Sequence, residues 1–207
     1  MINVTREQPS PPSLAEQKTH RSDDVIAALW TDFRHKCYLT EKVFDSMKEM
    51  EVDHFQTRNE RPDLIYTWEN LYPIDNKANK KRPKQTPPGG YLDPCNSAED
   101  VEQEIIYVVE FGGSALFKAL NPGNAKAVNT ANLLSYLHRD LKPAIKDKHH
   151  ELVNAVAEWH HAKSSGDVQG ELEKELLLRK LLSRDSHFTM LMRSIKALQS
   201  LPPDFFD

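Results

Sequence analysis

Apolar positions fall into two rhythms along this chain. From Ser22 to Phe33 they recur at helical spacing. Val25, Ile26, Leu29, Trp30 and Phe33 share one face behind Ser22, a residue suited to an N-cap, so a helix is predicted there. Cys37-Tyr-Leu and Met50-Glu-Val-Asp-His-Phe are short runs that predict two strands of a hairpin-like unit, joined by a polar loop. Residues 56–67, with Pro62, predict an irregular connection. Residues 71–81 predict a short helix with Pro73 in its first turn. Between Pro83 and Asn96, six prolines and glycines break any regular element: Pro83, Pro87, Pro88, Gly89, Gly90 and Pro94. Ile105–Phe111 and Ala115-Leu-Phe bracket Gly112-Gly113 as a hairpin would.

Beyond Asn124 the pattern is helical in three stripes. The first is Leu152, Val153, Val156, Ala157 and His160, and the second is Leu172, Leu176, Leu177 and Leu181. The third is Phe188, Leu191, Met192, Ile195 and Leu198, ended by Pro202 and Pro203. Gly166 separates the first two. No internal repeat is present. The fold class is therefore α+β, with a mainly helical C-terminal region. Three segments follow: a Pro-rich extended arm over residues 1–21, a domain over 22–122, and a helical region over 123–207. The arm, with Pro9, Pro11 and Pro12, either crosses the domain surface or is mobile.

Composition narrows the function classes. Hydrophobic content is 39% and charged content 28%, and no apolar run approaches a membrane span or the core of a signal peptide. This predicts a soluble, cytoplasmic protein. Cys37 and Cys95 each stand alone, which excludes a four-cysteine zinc site and argues against a disulfide framework. The net charge of −4 argues against a surface that is basic throughout. Yet Lys77, Lys80, Lys81, Arg82 and Lys84 fall within eight residues that contain no acid, a strip able to grip phosphates.

The chemistry concentrates at Asp53-His54, with Asn70 sixteen residues on and Asn79 nine beyond that. A neutral imidazole can take a proton from water near pH 7, which suits His54 to the work of a general base. Asp53 offers a carboxylate and Asn79 an amide oxygen, a ligand pair suited to Mg²⁺ or Mn²⁺ rather than zinc. Neighbours in a regular strand point to opposite faces, so the strand must end or twist at Asp53-His54. Asn70, where the chain turns, can fix the loop and hold His54 in one orientation. Activated water, a cation and phosphate-holding charge are what phosphodiester hydrolysis needs.

These residues resemble the HNH endonucleases, which have the ββα-metal fold, in a form that ends in Asn rather than His. Cys37-Tyr-Leu-Thr-Glu41, the acidic Glu51, Trp68-Glu-Asn-Leu-Tyr72 and Leu92-Asp-Pro94 resemble the PtuB-like branch, the nucleases of Septu and retron-linked anti-phage systems. The likeness covers roughly residues 25–110. It implies an HNH nuclease core over residues 22–122, with His54 as general base, Asn70 as the orienting residue, and Asp53 and Asn79 as ligands of Mg²⁺ or Mn²⁺. It also implies DNA as substrate and a PtuA-like ATPase as partner, for which the helical region is the expected docking surface. Many members hold a structural zinc with paired cysteines. Here Cys37 is followed by Thr40, and Asp75 and Ala78 stand where the second pair would be, so no structural zinc is expected. A binding or regulatory module that has lost turnover, or a standalone nuclease, are the alternatives. His149-His150 and His160-His161, eleven residues apart, share a helical face, and an exposed neutral arrangement is expected there rather than a second metal site.

Overall fold

Helix α1 (Asp23–Asp32) forms where the periodicity places it, with Val25, Leu29 and Phe33 buried. Ser22 takes the N-cap position without a side-chain cap bond. The computed structural model describes residues 1–110 and 112–206. The fold is α+β, about half helical, with two small antiparallel sheets and a helical C-terminal region. It divides into two units, Met1–Ile106 with Phe117–Leu137, and Tyr107–Leu116 with His138–Asp207.

In the first unit the arm crosses the surface and is anchored there. Met1, Ile2 and Leu14 are buried. The Glu7 and Gln8 amides both donate to Asp32 Oδ1 at 3.1 Å, and Ser13 Oγ donates to Asp24 Oδ1 at 2.6 Å. Arg6 enters a cage of Phe33, Trp68 and Tyr72, its guanidinium carbon 5.3, 4.6 and 4.8 Å from their ring centroids. It also donates to the Leu71 carbonyl at 2.6 Å. Cation–π contact and one strong hydrogen bond hold a charge that would otherwise resist burial.

The strand arrangement departs from the sequence reading in two places. Strand β1 (Met50–His54) pairs antiparallel with β2 (Leu71–Asp75), with Val52 opposite Pro73 and His54 opposite Leu71. Residues 37–39 are not its partner. Positive φ at Arg34, His35 and Glu41 curls that segment into a tight loop closed by a single Lys36–Val43 bridge. Residues 71–81 are likewise not one helix: they split into β2 and helix α2 (Asn76–Lys81). Pro73 fits because a strand residue's N and O point to the same side. Its carbonyl accepts from the Tyr38 amide at 2.9 Å on the outer edge, so the missing N–H is not one that β1 needs.

Asp75 ends β2 and caps α2, accepting from the Ala78 amide at 2.9 Å. Its other oxygen accepts from Thr40 Oγ1 at 3.1 Å. Cys37 is buried beside this pair, and burial together with the Asp75 charge pushes its thiol up to about 12. Thr40, Asp75 and Ala78 are thus tied to one another by ordinary hydrogen bonds. Helix α3 (Val101–Glu104) and helix α4 (Ala125–Leu137) complete the unit, with Ala127, Ala131, Leu134 and Leu137 turned inward. Gly89, at φ +90°, lets the 83–96 loop approach α4: a Cβ there would lie 2.7 Å from that of Ala125.

Strands β3 (Ile105–Val109) and β4 (Ala115–Ala119) form the expected hairpin, and the division between the units runs through it. Phe111, the last residue of the run expected as a strand, lies outside the described residues. In the second unit α5 (Lys142–Ser165) and α6 (Val168–Leu182) form an antiparallel pair. They are separated by Gly166 at φ +75°, a left-handed turn that glycine adopts without strain. The buried face of α5 is Ile145, Leu152, Ala155, Val156, Trp159 and Ala162, so His160 points outward, not inward. On α6 the buried residues are Leu178, Leu181 and Leu182, while Leu172 and Leu176 are exposed. The third stripe is broken, with α7 (Thr189–Arg193) followed by a 3-10 turn over Lys196–Ser200.

Candidate functional site

Strand β1 stops at His54, and with that ending both Asp53 and His54 line one pocket of about 190 Å³. Asn79 reaches the same pocket from α2, as do Arg82 and Lys84 from the residues that follow it. The two-strand-and-helix unit therefore brings together three of the four residues singled out as catalytic or ligating.

His54 is buried, and its Nε2 faces the Ile65 carbonyl at 3.0 Å. A carbonyl only accepts, so the ring proton sits on Nε2 and Nδ1 keeps its lone pair. Burial lowers the imidazole's pKa below its ordinary value, against the opposing hydrogen bond to Ile65. The ring is thus neutral near pH 7.

Asn70 is the fourth residue and acts one step away. Its Oδ1 accepts from the Gln56 amide at 2.7 Å, and its Nδ2 donates to the carbonyls of Gln56 and Leu64 at 3.1 and 3.2 Å. It pins both ends of the 56–64 loop, whose continuation carries the Ile65 carbonyl that meets His54. Its route to His54 runs through backbone, with no direct bond.

Asp53 is buried and already engaged. Its Oδ2 accepts from the Tyr38 hydroxyl at 2.7 Å and lies 3.0 Å from Arg82 Nη1. Arg82 was expected in the phosphate-gripping strip; it is instead 6% exposed. Its guanidinium donates to Asp53, to the His54 carbonyl at 3.0 Å and to the Phe55 carbonyl at 2.5 Å. Burial works against its charge, yet Tyr38 and Asp53 beside it hold its pKa above the ordinary value. Burial likewise lifts the Asp53 carboxyl, and the Arg82 charge and Tyr38 hydroxyl oppose that lift.

The basic strip divides. Lys84 lines the pocket with Arg82, whereas Lys77, Lys80 and Lys81 do not. Lys77 and Lys80 are exposed, and Lys81 Nζ sits 5.6 Å from the centroid of the Tyr136 ring. In helix α2 these three lysines stand at i, i+3 and i+4 and so share one face, turned away from the face of Asn79, which lines the pocket.

No family model matches the chain, and no curated protein is significantly similar to it.

Three further residues take part, of which only Glu51 carried a signal in the sequence. Glu51 accepts from Asn79 Nδ2 at 2.5 Å and also from Asn76. With its NH₂ turned to a carboxylate, Asn79 has Oδ1 left to offer a ligand. Arg58 enters the pocket from the irregular loop, and His20 enters from the arm. The His20 and His54 rings meet T-shaped, with centroids 4.6 Å apart. Burial, then the neighbouring His54, Arg58 and Arg21, push His20 down to about 4. Alternation along β1 marks Glu51 as a same-face neighbour of Asp53, so that contact was open to inference. His20 lies too far away in sequence.

For a divalent cation the donor set is one carboxylate, Asp53, and one amide oxygen, Asn79, on one pocket. Mg²⁺ takes oxygen ligands and commonly only one or two from protein, so this set fits it, with Arg82 as a competing positive charge. Among the described residues no three His, Cys, Asp or Glu side chains converge as a metal cluster. His149 and His150 lie side by side on α5, with ring centroids 6.1 Å apart, and His160 Nε2 is 2.9 Å from Ser200 Oγ. No helix among the described residues is long and apolar enough to cross a membrane.

Proposed function

We propose that the chain is a metal-dependent endonuclease with an HNH, or ββα-metal, core that hydrolyses DNA phosphodiesters. The observation that carries this reading is the His54 geometry. Its Nε2 is tied to the Ile65 carbonyl, which leaves Nδ1 with a free lone pair on a ring that lines the same pocket as Asp53 and Asn79. In the proposed reaction Nδ1 accepts the proton of the attacking water, and the ring is held for that task by the loop that Asn70 pins. Asp53 and Asn79 would hold Mg²⁺ or Mn²⁺, which when bound supplies positive charge against that developing on the phosphate and the leaving oxygen. Arg58 and Lys84, at the pocket, attract the phosphate. Resemblance to the PtuB-like branch adds a role in anti-phage defence with a PtuA-like ATPase.

Supercoiled plasmid incubated with the protein and Mg²⁺ or Mn²⁺ tests the chemistry. Nicking or linearisation that chelation stops and His54→Ala lowers at least about 100-fold is expected. Equal cleavage by wild type and His54→Ala would sink the assignment. The second reading, a nucleic-acid-binding module without turnover, has one observation in its favour. The Asp53 carboxylate is already engaged by Arg82 and Tyr38. Binding of DNA without cutting under every metal condition, with the ATPase present, would favour it.

A further inference from the structure

His20 comes from the arm, 34 positions before His54 in the sequence, yet its ring meets the His54 ring at a centroid distance of 4.6 Å with the planes 67° apart. Both rings line the same pocket. The hydrogen bond from His54 Nε2 to the Ile65 carbonyl fixes one point of the imidazole. A single hydrogen bond defines an axis, and the ring can still rock about it. A second body against the ring removes that freedom, and His20 is the aromatic group in that position.

The arm is built to hold His20 there. A 3-10 turn over Pro12–Glu16 buries Leu14, and Ser13 bonds to Asp24 in the first turn of α1 through both its amide and its hydroxyl, at 3.1 and 2.6 Å. The chain between these anchors reverses at Gln17, with φ at +53°, and runs through Thr19, whose Oγ1 accepts from the Arg21 amide at 3.1 Å. His20 is thus fastened on both sides within a few residues.

We propose that His20 is a positioning residue, which with the Ile65 carbonyl locks the His54 imidazole in the rotamer that presents Nδ1 to the pocket. This rests on the nuclease reading for its catalytic consequence, though the restraint on the ring does not depend on it. The restraint is steric, so it needs the ring and not its nitrogens. His20→Phe keeps the contact and His20→Ala removes it. In metal-dependent plasmid cleavage, His20→Ala lowers kcat by about 10- to 100-fold with KM little changed, as a misaligned catalytic group does. His20→Phe restores most of that loss. A raised KM with kcat intact, unrescued by Phe, would mean that His20 touches substrate and would overturn the proposal.

Relaxation of the His54 ring ¹³C–¹H resonances in the full-length protein gives a readout independent of cleavage. Wild type and His20→Phe show a rigid ring, while His20→Ala shows clearly lower order parameters at the ring carbons, the Nε2 proton staying in place because the Ile65 carbonyl still accepts it. Unchanged relaxation of the His54 resonances in a folded His20→Ala protein would refute the restraint whether or not the chain cuts DNA. If wild type fails to cleave under any metal condition, the nuclease reading falls and these resonances still decide the restraint.

Discussion

Arg82 shows how one residue's role can invert between sequence and structure. In the strip from Lys77 to Lys84 it reads as one more phosphate-gripping cation. In the fold it is buried, and its planar fork satisfies a carboxylate and two backbone carbonyls at once. Removing one partner of a buried pair strands the other charge in a poorly solvating place, which costs far more than the pair gains. Arg82→Ala is therefore expected to destabilise the protein by about 3–5 kcal/mol in urea denaturation. Arg82→Lys recovers little, because an ammonium cannot reach three acceptors spread in a plane. A loss below about 1 kcal/mol for Arg82→Ala would show that the pair is solvated and the burial argument wrong. No pattern in residues 77–84 distinguishes the inward cation from the outward ones. That distinction is made by Tyr38 and Asp53, which are distant in sequence and supply the acceptor and the cavity.

At the scale of elements, most helices were legible, whereas the first sheet was not: residues 37–39 read as a strand and form a loop, and β2 read as part of a helix. Helix α1, the β3–β4 hairpin, the Pro- and Gly-rich loop and the α5–α6 break at Gly166 follow from periodicity and punctuation. The partner of β1 did not, because Pro73 argued for a helix start and only its place on an outer edge lets it sit in β2. The arm is a second case. Its prolines left open whether it was mobile, and bonds to Asp32 and Asp24 fasten it. These bonds have a pH dependence. The Ser13 hydroxyl foremost, with backbone amides, holds the Asp24 carboxyl below its ordinary value. A carboxyl depressed in the folded state contributes stability above its unfolded pKa, about 3.9, and loses it as pH falls through the lower folded value. The thermal midpoint of Asp24→Ala should lie below wild type from about pH 5 to 7, by at most about 1 kcal/mol equivalent for a half-exposed group. The gap should narrow as pH falls below the unfolded value of about 3.9 and close once the lower folded value is passed. A gap that persists undiminished into acid would show that the carboxylate's charge is not what fastens the arm.

For the whole molecule, the division places α4 with the first unit and the later helices in the second. The proposed ATPase partner is tested with the full chain. Co-expressed with a PtuA-like ATPase, the protein should co-elute as a stable complex in gel filtration. Separate elution at micromolar concentration would favour a standalone nuclease. What the sequence determined by itself was local: the α+β class, most helices, and a candidate site at Asp53, His54, Asn70 and Asn79. Periodicity, turn residues and donor types act over a few residues, so they can be read along a chain. What only the tertiary structure decided was which groups face that cluster. The inward turn of Arg82, Glu51 on Asn79, the Ile65 carbonyl on His54 and His20 from the arm are all contacts across space. They are selected by burial, which requires every polar group taken from water to find a partner wherever the chain supplies one.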